Sequence, residues 1–174
     1  MPVAQTASPA RLVASTLYST LAGSVTDYTY VDFCAGAGGP TPYIERDLNA
    51  KLMSPGPELQ VVPNGRAPKF PLARTQPAAI KAVKFVLTDL HPHISDWTEA
   101  AKKSQNLGFI SRPVDAANAP VDLINNDGGK VFRLFNLAFH HFEDDLARDI
   151  LRNTLETSDG FGYVTFIEYM VNDR

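Results

Sequence analysis

Residues 31–40 read VDFCAGAGGP, and the β-prone stretch TYV leads into them. A strand that ends in an acid, Asp32, and breaks into small residues lets a ligand approach the backbone closely. Glycine supplies the left-handed conformations such a turn needs and carries no side chain to obstruct it. Glycines also mark ordinary tight turns, so the neighbouring residues have to decide between the two. Thr41-Pro42 comes next, a cap with proline at the first helical position, and it opens PYIERDLNAKL as a helix. Strand, glycine turn and helix in that order begin a βαβ unit.

The chain on either side continues the pattern. Ser8-Pro9 is another cap-and-proline start, Leu12, Val13, Leu17 and Leu21 recur at helical spacing, and Gly23 is expected to stop that helix. The first strand is expected over about Tyr28–Cys34. Residues 53–77, MSPGPELQVVPNGRAPKFPLARTQP, carry six prolines and can hold neither a helix nor a central strand. They read as an insertion on the surface, either a lid or a tolerated loop. KFVLTDL is an apolar run without alternation, the mark of a strand covered on both faces. SDWTEAAKKSQNLG predicts a capped amphipathic helix stopped by Gly108. FISRPVDA predicts a third strand, which its internal Pro113 confines to a sheet edge. NNDGG is a turn, KVFRLFNLAF a fourth strand, EDDLARDILRNTL a helix, and GYVTFIEY (162–169) a fifth strand. No segment repeats. Strands alternating with helices predict one α/β domain built on a mostly parallel sheet with right-handed crossovers.

Composition narrows the function. The 174 residues are 44% hydrophobic and 20% charged, as in a globular protein, with a formal net charge of −3. No global basic field exists to hold nucleic acid. The single cysteine, Cys34, excludes an internal disulfide and suits a reducing compartment. The first residues lack a signal-peptide core, and no apolar run is long enough to span a bilayer. A cytoplasmic protein with no membrane partner is the expectation.

Acids stand at the carboxyl ends of three successive expected strands: Asp32, Asp89 and Asp115. Ligands bind at that edge of an open α/β sheet, near the point where the strand order reverses. An acid ending the second strand can accept two hydrogen bonds from a ribose diol, and one after the third can accept from an adenine amino group. Any one of them alone is more often a helix cap or a solvated loop residue, but three in register with a glycine turn point to a ligand.

These residues carry a resemblance. YVDFCAGAGG resembles motif I of the class I S-adenosylmethionine-dependent methyltransferases, an acid followed by three alternating glycines. Asp32 matches the acid, Gly36 and Gly38 match the second and third glycines, and Cys34 stands where the first is expected. VLTDLHP resembles motif II, with Asp89 as the ribose ligand and Leu90 beside it. PVDAANAP resembles the adenine-contacting motif, with Asp115 and Ala116. RLFNLAFHHFEDDLARDILRNTL resembles the fourth-strand region, in which small-molecule methyltransferases carry a His-His pair. There Asn136 faces the cofactor, and His140 and His141 stand beside the methyl group. The likeness covers roughly residues 28–169 and is closest to uncharacterised fungal members.

The resemblance implies a Rossmann-like sheet of order 3-2-1-4-5 with helices on both faces, S-adenosylmethionine as cofactor, and methyl transfer to a small-molecule acceptor. His140 or His141 would act as a base or orient the acceptor; packing in the pocket wall is the plainer role. His91 and His93 flank Pro92 without a matching ligand set, so no metal is expected. From Asp32 to Asp89 is 57 positions, against about 20 in such units, and the proline-rich insertion accounts for the excess. The chain runs five residues past the fifth strand, so a sheet truncated relative to the family's seven strands is expected. Residues 162–169 would then form a bare edge, suited to a homodimer or a hetero-partner. An RNA ribose methyltransferase needs an acid at the end of strand four, and Asn136 to His141 offer none. A non-catalytic cofactor-binding or partner subunit is the other alternative, favoured by Cys34 and the absent hairpin.

Overall fold

The computed structural model describes residues 8–54, 81–124 and 129–164. Its elements run α1 (Pro9–Leu21), a 3₁₀ turn (Ala22–Asp27), β1 (Tyr28–Asp32), α2 (Thr41–Met53), β2 (Phe85–Leu87), α3 (Ile94–Ala101) and β3 (Leu107–Phe109). β4 (Lys130–Asn136), a 3₁₀ turn (Phe139–His141), α4 (Asp144–Thr157) and β5 (Gly160–Val164) complete it. The five strands form one sheet in the order β3-β2-β1-β4-β5, and every pairing is parallel. This is the Rossmann-like α/β fold expected from the sequence. The insertion at 53–77, from residue 55 onward, and residues 165–169 of the expected fifth strand lie outside the described residues.

β1 is partly buried at Tyr28 and Thr29 and fully buried from Tyr30 to Asp32, so its last residues are covered on both faces. Tyr30 packs toward α1, α2 and α3 with Ile44, Leu48, Phe85, Leu87 and Trp97. Val31 and Phe33 face the opposite layer, where Val114, Ala116, Phe135 and Ile150 close over them. The second layer is half irregular: residues 110–124 and α4 share it. Arg133 is buried there with its guanidinium over the Phe33 ring at 4.3 Å, donating to the hydroxyls of Thr154 and Thr157. Burial pushes it down to about 10.

Local departures from the sequence reading have local causes. The α1 cap holds, since Ser8 Oγ accepts from the Arg11 N–H at 3.3 Å. The helix leaves through Ala22 at φ 45°, however, not through Gly23. β1 stops at Asp32 because Cys34 turns to φ 59°. Gly108 does not stop α3. That helix ends at Ala101 and carries no side-chain cap, and Gly108 is the middle of β3, paired with Val86.

β3 does lie at an end of the sheet, but Pro113 is not the reason. The Ile110 N–H donates to Leu87 O and the Val114 N–H to Asp89 O, and residues 111–113 pass outside the ladder. Asp115 therefore follows a loop, not a strand end. β5 begins two residues before the expected start, as Gly160–Val164. A Cβ on Gly160 would lie 2.9 Å from the Phe132 ring, so the strand needs glycine there.

Candidate functional site

Asp32 and Asn136 end β1 and β4, the adjacent strands at which the order reverses. Thr41, the first residue of α2, joins them. Its hydroxyl donates to Asp32 Oδ2 at 2.5 Å and accepts from Asn136 Nδ2 at 2.8 Å. Thr41 was expected to cap its helix, but α2 makes no side-chain cap bond. The hydroxyl is spent on the strand ends instead. All three side chains are buried, Asp32 to 1% exposure and Asn136 to 7%. Two oxygens of this cluster, Asp32 Oδ1 and Asn136 Oδ1, are buried without a donor. Native proteins rarely leave such atoms unpaired, and each one calls for an explanation.

Burial is also what pushes the Asp32 carboxyl up, to about 7, with the Thr41 hydrogen bond and the nearby Asn136 dipoles opposing the rise and Asp89 adding repulsion. The Cys34 thiol is pushed up to about 12. Burial is the main cause, and the charges of Asp89, Asp32 and Asp115 add to it in that order. The same shift keeps the thiol protonated at neutral pH and removes it as a nucleophile.

The turn after β1 is fastened on two sides. Gly36 and Gly38 sit at φ +52° and +105°, where a side chain is strained. The Gly36 N–H donates to Asp89 Oδ2 at 2.9 Å, and the Gly36 carbonyl accepts from Trp97 Nε1 at 2.8 Å. The other Asp89 oxygen accepts from the His91 N–H at 2.8 Å. Asp89 is half-buried and Leu90 beside it is exposed. Asp115 is exposed, and its Oδ1 accepts from the Ala117 N–H at 2.9 Å, closing a local turn with the buried Ala116 inside it. The Val114–Asp89 backbone bond brings that turn against the end of β2.

The structure therefore gathers Asp32, Cys34, Gly36, Gly38, Asp89, Asp115, Ala116 and Asn136 along one edge of the sheet. His140 and His141 are less integrated. Both are exposed, with ring centroids 3.9 Å apart, on the 3₁₀ turn beyond Leu137. Leu137 itself turns at φ 61°. Among the described residues no group of three or more His, Cys, Asp or Glu side chains is arranged to hold a metal ion.

The sequence reading missed Thr41 as a member of the site and Trp97 as a fastener of the turn. Thr41 carried a signal, since it opens the helix just after the glycine turn that leaves β1. Trp97 carried none, because nothing local relates it to Gly36, 61 residues away.

The edge leaves acceptor positions unfilled. Two donorless buried oxygens can accept from ammonium hydrogens, and the Asp89 oxygens retain lone pairs for a diol. An added Cβ at Gly36 or Gly39 would meet nothing within 4 Å, so the outer side of the turn is open. No protein-family model matches the chain, and no curated protein matches it. Among the described residues no helix is long and apolar enough to cross a membrane.

Proposed function

We propose that this chain binds S-adenosylmethionine at the carboxyl edge of its sheet and transfers the methyl group to a small-molecule acceptor. The pair of buried, donorless oxygens on Asp32 and Asn136 carries this reading, because an amino-acid ammonium group satisfies both. The fastened glycine turn, Asp89 and the Asp115–Ala116 turn supply the ribose and adenine ends of the same ligand. The cofactor brings an activated methyl on sulfur. The chain's own task is to orient the acceptor in line with it and, where needed, to take up the acceptor's proton. His140 and His141, exposed and close to the end of β4, are the groups proposed for that step.

Calorimetric titration with S-adenosylmethionine and with its demethylated product tests the reading. Binding of both is expected. Asp89→Ala should weaken it by about 1.5–3 kcal/mol, the range for hydrogen bonds to a charged group. Affinity equal to that of the parent would remove the assignment.

A second reading is a cofactor-binding or partner subunit without catalysis. Cys34 favours it, since its side chain stands at the position of a family glycine. Binding without turnover on any acceptor would select it. We further propose self-association or a hetero-partner through residues 162–169. Tyr163, 61% exposed on the end strand β5, supports that edge. Light scattering that shows only monomer at high concentration, with no partner recovered, would discard it.

A further inference from the structure

Gly36 is held through both of its peptide groups. Its N–H is bonded to the Asp89 carboxylate and its carbonyl to the Trp97 indole. These two fasteners differ in what else they can do. Asp89 already accepts two backbone N–H groups, from Gly36 and His91. A ribose diol would add two more donors, filling the roughly four acceptor positions of a carboxylate. Each bond then shares the same charge, and the hold on Gly36 weakens as the ligand arrives.

Trp97 has no such second duty. The indole has a single donor and no acceptor. Its ring is fully buried in the core beneath the turn, near Phe109. An added Cβ on Gly38 would lie 3.8 Å from its Cδ1, so the ring also backs the next part of the turn.

We propose that Trp97 is the positioning residue that keeps the glycine turn in its ligand-binding shape while Asp89 engages the ribose, an inference that rests on the cofactor reading above. Trp97 touches no part of the ligand. It acts through Gly36, and it ties the turn to α3.

The chain has one tryptophan, so its indole N–H gives a single resonance in a nitrogen-15 correlation spectrum. That resonance should be protected from solvent exchange in the free protein and should move when S-adenosylmethionine saturates the site. Trp97→Phe keeps the ring and deletes the donor. It should bind S-adenosylmethionine and adenosine about 5- to 10-fold more weakly by calorimetry, the loss of one ordinary hydrogen bond. Its circular dichroism should match that of the parent at the titration temperature. A purely structural role would lower the melting temperature and leave the affinity of the folded variant alone. Equal affinity, or an indole resonance that stays put at saturation, overturns the proposal. The resonance needs no variant, so it decides the matter even if Trp97→Phe fails to fold. If the parent itself gives no binding heat with S-adenosylmethionine, the cofactor reading falls and this proposal falls with it.

Discussion

At Asp32 two requirements oppose each other: a carboxylate is useful to a cationic ligand, and the carboxylate is buried among strand ends. The conflict is readable as pH dependence. The carboxyl is raised from 3.8 to about 7 in the folded protein. Between those values the folded state keeps a proton that the unfolded state has released, so stability falls as pH rises through that window. The fall is on the order of 4 kcal/mol if the whole shift is realised, at 1.36 kcal/mol per unit. Asp32→Asn removes the titration. The variant should gain on the parent as pH rises, and urea midpoints at pH 5 and pH 8 measure this. A parent–variant difference that is the same at both pH values would show that Asp32 is ionised throughout. Sequence alone located Asp32, because an acid before a glycine turn is a local pattern. Its protonation was not legible, since that depends on burial by the folded strand ends, opposed by Thr41 and Asn136, 9 and 104 positions away.

Among the elements, α2 shows why some boundaries were legible and others were not. Its start is written in Thr41-Pro42, and its buried stripe of Ile44, Leu48 and Leu52 has helical spacing. Its partner segment is less obvious. The Asn49 amide acts as a short piece of strand: Oδ1 accepts from the Val83 N–H at 2.8 Å, and Nδ2 donates to Val83 O at 3.1 Å and to Glu45 Oε1 at 2.7 Å. That fixes the approach to β2, whose own three residues pair with β1 and β3. Asn49→Ala leaves both polar groups of Val83 unpaired in a buried site. The expected loss is about 2–3 kcal/mol, or roughly 5–10 °C in melting temperature for a chain of this size. A drop under about 2 °C would mean that β2 is held by its ladder alone. β3 was harder to read for the opposite reason. Gly108 and Pro113 are strong local signals, yet pairing with Phe85–Leu87 captured Leu107–Phe109 and pushed residues 111–113 outside the ladder. Tertiary pairing overrode local preference there.

Across the whole molecule, parallel strands need covered faces, and KFVLTDL showed one such strand as an unalternating run. Which strand ends meet was visible only through the sheet order itself. β1 and β4 are far apart in sequence, yet their ends form the candidate site. That arrangement makes a ligand effect calculable for the molecule as one unit. A ligand present at a hundred times its dissociation constant adds about 2.7 kcal/mol to folding, or roughly 5–10 °C in melting temperature. An ammonium-bearing ligand at Asp32 requires the carboxylate, and below about pH 7 the free protein holds a proton there. Binding in that range must release the proton, so affinity should fall by up to about tenfold from pH 8 to pH 6, one tenfold step per unit below the group's pKa. Adenosine has no ammonium group at that end and should bind without this dependence. Calorimetry of S-adenosylmethionine and adenosine at both pH values, in buffers of different ionisation enthalpy, measures affinity and proton release together. Affinity for S-adenosylmethionine that is flat from pH 6 to pH 8, with no proton released, would place its ammonium group away from Asp32 and Asn136. Their two donorless oxygens would then need another donor.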